Sequence, residues 1–226
     1  SVYREQINYD KALECIQKCL AIYLESFGDH HANVAMQYIF ASQIYVMQGK
    51  YQEALTYSQK ALAVYKEYYG ENSFELAVPY RTISAAYLKQ GAYKRALEYN
   101  QQALIKQESE LGANHPDLVD TYDQRGTIYV KLGQYSSALS FYQKALNIQI
   151  QISGEHHLHT AYYYQGIGSV YLRQNQYQQG MDYLDKTLNI QMKALGNNHP
   201  TTASTYSIIG GALVTHGKYE QALHYL

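Results

Sequence analysis

The chain repeats one pattern every 42 residues. A glycine is followed after one residue by tyrosine, and an alanine–leucine pair comes three residues after the tyrosine. The full copies begin at Gly49, Gly91, Gly133 and Gly217, and weaker copies begin at Ile7 and Asn175. A second ladder has the same period: Gly28, Gly70, Gly112, Gly154 and Gly196. A fixed period of this length predicts a solenoid, in which each unit contacts mainly its neighbours.

The composition excludes some classes of partner. The chain has 226 residues, of which 46% are hydrophobic, and a formal net charge of -1. Proteins that bind nucleic acids or membrane surfaces usually carry clustered basic charge. A net charge near zero does not indicate such clusters. No apolar run approaches the roughly 18 residues that a bilayer-spanning helix needs. We therefore expect a protein or peptide ligand, or a place in a larger complex, with no nucleic acid and no membrane insertion.

Each repeat divides into two predicted helices. The first begins near an equivalent residue in each copy: His31, Ser73, His115, His157 and His199. Asn, Asp or Ser is expected at its cap, and Pro116 and Pro200 fit just inside it. The second begins at the repeated tyrosine and runs for about 18 residues to the second glycine ladder, where a left-handed residue ends it. Pro79 should bend or delay its helix.

This division gives one array over residues 1–226. Complete units span 31–70, 73–112, 115–154 and 157–196, with partial units at 1–28 and 199–226. Tyr3 takes the position of Tyr45, near the end of a first helix, and the last second helix has only about eight residues before Leu226. We therefore expect the chain to be a section of a longer array.

Large and small residues alternate on the predicted buried faces. On the first helix, an aromatic residue is followed four residues later by Ser or Gly, and Ala or Gly takes the facing position of the second helix. Small residues let paired helices approach closely. The small positions are Ser42, Ser84, Gly126, Gly168 and Gly210, facing Ala54, Ala96, Ala138 and Gly180. The pattern predicts an all-α fold of antiparallel helix pairs, and Gly168→Leu should destabilise it.

With these residues at these offsets, the chain resembles a tetratricopeptide repeat (TPR) array. The 42-residue unit with a Leu-Gly-x-x-His-Pro segment before the first helix, at Leu111–Pro116 and Leu195–Pro200, resembles the repeats of kinesin light chains and nephrocystin-type proteins. The resemblance implies a right-handed superhelix whose first helices line a concave groove that binds a protein segment, extended or helical. It also implies a scaffold or adaptor in the cytoplasm or on the cytoskeleton.

One departure and two alternatives accompany this resemblance. Kinesin light chains tend to carry paired asparagines in the first helix, but the matching pairs here include Arg81-Thr82, Asp123-Gln124 and Gln165-Gly166. Recognition of that family's kind is therefore not implied. One alternative is a structural building block of a large cytoskeletal or ciliary assembly. The other is a regulatory TPR module of a longer multidomain protein.

The predicted groove offers a set of charged and polar residues. Lys89, Lys131 and Arg173 hold equivalent positions in three consecutive units, so we expect a short basic row that suits an acidic ligand. An ordinary solvated helix face is the alternative. Arg125 replaces an apolar residue, and should pair internally, reach solvent or contact ligand. The candidates are Arg81, Lys89, Asp120, Asp123, Arg125, Lys131, Tyr162, Gln165, Arg173 and Ser207.

No residue pattern indicates catalysis, a cofactor or a metal. Cys15 and Cys19 lie four residues apart on a helix, where a disulfide is strained, and are expected to be small buried thiols. His156, His157 and His159 are expected to cap a helix or lie in an exposed loop, since zinc needs ligands that converge on one centre. The chain is therefore not expected to be an enzyme.

Overall fold

A computed structural model describes the backbone of residues 2–225 and the side chains of residues 8–225. Within residues 2–225 the protein is all-α, with no β-strand. Its helices are α1 (Val2–Phe27), α2 (Ala32–Met47), α3 (Tyr51–Tyr69), α4 (Ala77–Gln90), α5 (Tyr93–Leu111), α6 (Val119–Lys131), α7 (Tyr135–Ser153), α8 (Leu158–Arg173), α9 (Tyr177–Leu195), α10 (Pro200–Thr215) and α11 (Tyr219–Ala222). None of the helices in this part of the chain is both long enough and apolar enough to cross a membrane.

The first helices begin where the sequence predicts, but their caps are mostly histidine. Nδ1 of His31 accepts a hydrogen bond from the backbone N–H two residues later, and His115, His157 and His199 do the same. Ser73 caps with its hydroxyl oxygen in the same way. The expectation of Asn, Asp or Ser was therefore wrong in four of these five positions. A neutral imidazole nitrogen accepts a hydrogen bond as a carboxylate or hydroxyl oxygen does.

Two first helices start with a short 3-10 turn, over Phe74–Leu76 and Pro116–Leu118. Pro79 is the third residue of α4. In that first turn a backbone N–H would have no partner inside the helix, so proline fits without breaking it. The helix α4 starts at Ala77, but α6 starts equally late at Val119 with Thr121 in the equivalent position, so the late start does not depend on Pro79.

The second helices α3, α5, α7 and α9 have 19 residues each. Each ends at a glycine of the second ladder; Gly70, for example, has φ 85° and ψ 159°. An L side chain rarely adopts this backbone conformation, so the period of this ladder marks the helix ends. In the other ladder, Asn175 has φ 59° where the other copies have glycine. Asparagine is among the few residues that tolerate this region.

The N-terminal copy differs from its prediction. A helix boundary was expected before Tyr9, but α1 is one continuous helix of 26 residues. Ile7 stands where other copies have the helix-ending glycine, so the local reason to stop is missing. The side chain of Tyr3, on which the expectation of a partial first helix rests, lies outside the described side chains, as does Leu226.

The helices group into two compact units, residues 1–113 and 114–226. In the first unit, Tyr57 of α3 packs between two tyrosines of α2, with ring centroids 6.0 Å from Tyr38 and 5.3 Å from Tyr45. Tyr99 of α5 packs in the same way between Tyr80 and Tyr87 of α4. Much of the excess tyrosine therefore fills the interfaces inside helix pairs.

The second unit repeats this arrangement. Phe141 of α7 lies 5.9 Å from Tyr122 and 5.6 Å from Tyr129 of α6, between ring centroids. Tyr183 of α9 packs in the same way between Tyr164 and Tyr171 of α8. Leu184, Leu188, Ile209, Leu213 and Ala222 form the core that joins α9, α10 and α11.

The small residues lie at the close approaches, as predicted. A Cβ atom on Gly168 would lie 3.0 Å from the carbonyl oxygen of Gly180, and one on Gly180 would lie 2.7 Å from Leu172. Contacts of 3.0 Å are rare and shorter ones essentially never occur, so a larger residue at either position would require its neighbours to shift. In the first unit Ser42 instead hydrogen-bonds Ser58 at 2.6 Å, and its hydroxyl donates to the carbonyl of Ala54.

The two cysteines correct another expectation. Cys15 and Cys19 are free and exposed, although the equivalent of Cys19 in later copies, such as Ala61, is fully buried. Ala61 is covered because its helix belongs to a core cluster with α2 and Leu76. Within the described residues, α1 has only α2 packed against it. Sequence position alone therefore did not determine burial here.

Candidate functional site

A cavity of about 240 Å³ opens on the surface of the second unit between α6, α7 and α8. We call it the Asp123 pocket, and its lining combines one carboxylate with three phenol rings. It is lined by Asp123, Tyr142, Tyr162, Tyr163, Gln165, Gly166 and Ser169. Three of these, Asp123, Tyr162 and Gln165, are groove candidates from the sequence, and the fold brings them together.

Asp123 supplies the negative charge of the pocket. Its Oδ2 accepts a hydrogen bond of 3.4 Å from the hydroxyl of Tyr162, whereas its Oδ1 is buried and has no hydrogen-bond partner. Burial, together with the smaller effect of the nearby negative charge of Asp120, raises the pKa of this carboxyl to about 6. A buried carboxylate oxygen without a donor is costly, so this group favours a ligand that donates a hydrogen bond or carries positive charge.

The tyrosines form the walls of the pocket. Tyr162 is 56% exposed, while Tyr142 and Tyr163 are buried. The rings of Tyr162 and Tyr163 meet edge to face at 5.2 Å between centroids. Burial raises the pKa of all three hydroxyls, that of Tyr142 to about 12, so they remain neutral donors at physiological pH. Neutral phenols leave Asp123 as the charged group among the residues that line the pocket.

Tyr142 reaches the pocket because α6 has a glycine beneath its ring. A Cβ atom on Gly126 would lie 2.6 Å from Cδ1 of Tyr142, whereas one on Gly166 would lie 3.9 Å from Cε2. The hydroxyl of Tyr142 is 3.0 Å from Oγ1 of Thr127. The ring thus lies between α6 and α8, held by a hydrogen bond at its tip.

Sequence reasoning missed Tyr142, Tyr163, Gly166 and Ser169. A signal for Tyr142 was present, because its position holds Ser58 and Asn100 in the preceding copies. Ile16 and Leu184 hold it in two other copies, so an aromatic ring occurs there only in Tyr142, and Gly126 provides the space for it. Tyr142 lies on a second helix, whereas the sequence prediction placed all groove residues on first helices.

Arg125 is packed inside the unit. The residue is only 8% exposed, and its guanidinium carbon lies 4.9 Å from the centroid of Phe141 and 5.6 Å from that of Tyr129. It also donates to the hydroxyl of Tyr129 at 3.4 Å. Contacts of this kind compensate a buried cation, which favours the packing interpretation over ligand contact.

The remaining candidates do not line the pocket. Lys131 and Arg173 are exposed at the C-terminal ends of α6 and α8. Asp120 is exposed near Asp123, and the exposed Ser207 donates to the carbonyl of Ala203. In the first unit, Arg81 is half-buried and Lys89 is exposed at the end of α4.

A larger cavity of about 570 Å³ lies in the same unit, between the loop before α8 and the helix α9. Two lysines line it, Lys186 and Lys193, together with Glu155 and Tyr164. The hydroxyl of Tyr164 donates to Glu155 at 3.0 Å, and Lys186 lies 5.4 Å from the Tyr164 ring centroid. This cavity combines its carboxylate with two lysines, whereas no lysine or arginine lines the Asp123 pocket.

No group of three or more His, Cys, Asp or Glu side chains that could hold a metal ion occurs among the described residues. His157 caps α8, as predicted, and its ring lies edge-on to that of His159 at 4.9 Å between centroids.

Comparison with protein-family models gives one family across the whole chain. A model described as tetratricopeptide repeat matches residues 1–67, 38–104, 105–151, 117–179 and 160–226. No curated protein matches the sequence significantly.

Several solved structures share the fold at low sequence identity. BtubC (BKLC) from P. vanneervenii is 16% identical, with a TM-score of 0.79, over 100% of this chain and 88% of that one. A Podosopora anserina structure, described as kinesin light chain nearly identical TPR-like repeats, is 19% identical, with a TM-score of 0.74, over 86% of this chain and 92% of the other. Aspartyl phosphate phosphatase F from Bacillus subtilis is 19% identical, with a TM-score of 0.69; 91% of this chain matches 52% of that one.

Proposed function

The chain belongs to the tetratricopeptide repeat family, and on that premise we propose that it is a protein–protein interaction module that binds a segment of a partner protein on its first helices. The segment is extended or helical, and the module acts as a scaffold or adaptor. The observation that carries this proposal is the Asp123 pocket, because a concave site with a few convergent polar groups is where a ligand is expected.

The chemistry of the pocket fits a peptide ligand. Tyr162 offers a large exposed ring that loses little conformational entropy on binding, and its neighbour Tyr163 supports it from the side. Gln165 and Ser169 add side chains that can hydrogen-bond a peptide backbone. Aromatic anchors surrounded by polar groups are typical of the residues that dominate binding energy at interfaces.

A peptide-display selection tests the proposal. A library of short random peptides is selected on the purified chain, and the recovered peptides are measured against variants by fluorescence anisotropy. Tyr162→Ala and Gln165→Ala should each weaken binding. Matched controls are Ser140→Ala and Gln179→Ala, exposed positions on the second helices α7 and α9, and they should leave binding unchanged.

The opposite result favours the structural building block. If the controls weaken binding while Tyr162→Ala does not, the second helices form the working surface and the first-helix proposal fails. The proposal also includes a cytoplasmic or cytoskeleton-associated location, supported only by the resemblance to kinesin light chain repeats. Fluorescence microscopy of the tagged protein, with co-staining of the cytoskeleton, tests it.

A further inference from the structure

We propose that the Asp123 pocket binds a cationic side chain, lysine or arginine, of the partner segment. This inference rests on the proposed function and specifies the ligand chemistry of the same site. It differs from the sequence expectation of an acidic ligand held by Lys89, Lys131 and Arg173, because the pocket itself carries the opposite charge.

One oxygen of the Asp123 carboxylate has no hydrogen-bond donor. Oδ1 of Asp123 is buried without a donor, and the hydroxyl of Tyr162 reaches only Oδ2. A lysine ammonium has three N–H donors and a guanidinium has five, so either could supply the missing hydrogen bond. Bonds between a charged donor and a carboxylate are the stronger kind.

None of the described residues that line the pocket is a lysine or an arginine. The charged group that acts on Asp123 is a second carboxylate, Asp120, which adds repulsion. Lys131 lies eight residues further along α6, about 12 Å along the helix axis. This distance exceeds the screening length of about 8 Å at physiological ionic strength. A ligand cation would therefore bind a carboxylate whose pocket lining contains no positive charge.

The aromatic rings that line the pocket are also suited to a cation. Elsewhere in the same unit, internal cations already cover ring faces: Lys144 lies 5.1 Å from the Tyr122 centroid, and Lys186 lies 5.6 Å from that of Tyr183. Among the described residues, no lysine or arginine lies over Tyr142, Tyr162 or Tyr163. Ring faces beside a carboxylate attract a cation, most strongly when both are partly shielded from water.

The size of the pocket agrees with one side chain. Its volume of about 240 Å³ exceeds that of a single water molecule about eightfold, since water occupies about 30 Å³ in the liquid. It is below the range of about 300–1,000 Å³ for the cavities that enclose drug-sized ligands. The pocket can therefore hold the end of a long side chain while the peptide backbone remains outside, near Gln165.

The test uses three blocked amino acids as probes: N-acetyl-arginine amide, N-acetyl-lysine amide and N-acetyl-citrulline amide. Citrulline has nearly the shape of arginine without its charge. Binding is followed by NMR through the Gly166 amide and the Tyr162 ring. We expect saturable binding of arginine or lysine, and about tenfold or more weaker binding of citrulline.

Variants decide whether Asp123 is responsible. Asp123→Asn keeps the size of the side chain and should weaken binding of the charged probes about tenfold or more. Asp182→Asn, on the exposed side of α9, is the matched control and should change nothing. Circular dichroism verifies that both variants are folded. Tyr162→Leu removes an aromatic ring of the pocket and should also weaken binding of the charged probes.

Three results overturn the inference: no charged probe binds, citrulline binds as well as arginine, or Asp123→Asn binds as well as the native chain. These outcomes are distinguishable from failure of the proposed function. Selected peptides that depend on Tyr162 but contain no lysine or arginine would leave the interaction module standing and remove the cation pocket.

Discussion

The ring of Tyr142 occupies space that Gly126 leaves open: a Cβ atom at position 126 would lie 2.6 Å from Cδ1 and 2.7 Å from Cε1 of that ring. The corresponding pair in an earlier copy is Ser42 and Ser58, two small residues joined by a hydrogen bond. One repeat has thus exchanged a small polar pair for a glycine and a large ring, and that ring forms a wall of the Asp123 pocket.

Gly126→Ser should therefore destabilise the protein by about 1–3 kcal/mol, because the added side chain overlaps the Tyr142 ring. The double variant Gly126→Ser/Tyr142→Ser recreates the pair found in the earlier copy and should recover part of this loss. Chemical denaturation measures both free energies of unfolding. Gly166→Ala is the matched control, since its Cβ would meet Tyr142 only at 3.9 Å. A double variant that is no more stable than Gly126→Ser would contradict the pairing.

Gly168→Leu should separate α8 from α9. Its Cβ atom would lie 3.0 Å from the backbone oxygen of Gly180 and 3.1 Å from Leu184, and backbone cannot move aside as a flexible side chain can. We expect a loss of about 1–3 kcal/mol from overpacking, despite the better helix propensity of leucine. Gly211→Leu, at an exposed helical position with open space around it, should be neutral or stabilising in the same thermal melts. Equal effects of the two substitutions would refute the assigned close contact.

Asp123→Asn should stabilise the free protein above pH 6. The pKa of Asp123 is about 6 in the folded state and about 3.9 in an unfolded chain, so between these values the folded state holds a proton that the unfolded state has lost. The native chain therefore loses stability as pH rises from about 4 to 6. Removal of the charge by Asp123→Asn should raise the free energy of unfolding by about 1–3 kcal/mol above pH 6 and change it little below pH 4.

The measurement is the difference in unfolding free energy between Asp123→Asn and the native chain across this pH range. The groups that face Asp123 are Asp120 on its own helix and the phenols of Tyr142, Tyr162 and Tyr163, and these phenols stay neutral in this pH range. A difference that does not change with pH would contradict the raised pKa. Binding of the charged probes should weaken below pH 6, as protonation removes the negative charge.

The basic row remains a prediction about electrostatic steering. Changing Lys89, Lys131 and Arg173 together to Glu should leave the fold intact, because all three are exposed. Exposed ion pairs contribute about 0–1 kcal/mol each, so an acidic peptide should associate more slowly and with weaker salt dependence. Stopped-flow fluorescence at several salt concentrations measures this, and circular dichroism checks the fold. Unchanged association of such a peptide would remove the row from the binding surface.

The sequence by itself determined the repeat and its helices. The two glycine ladders mark where helices end because only a few residues tolerate a positive φ, and this constraint acts locally. The facing small residues determined which sides of the helices meet, because close packing leaves no room for larger ones. These features depend only on neighbours along the chain or on one partner helix. They therefore recur every 42 residues and can be recognised in the sequence.

Tertiary structure decided the burial of individual residues and the composition of the pocket. Cys19 has the position of the buried Ala61 yet is exposed, because burial depends on which helices cover a face. The sequence left open whether Arg125 pairs internally, reaches solvent or contacts a ligand, and the structure places it over two rings. The pocket joins Asp123, Tyr142 and Tyr162 from three helices, and the charge near a carboxylate depends on distances that no sequence spacing specifies. The repeat thus determined the arrangement of helices, whereas the tertiary structure decided which side chains line the pocket.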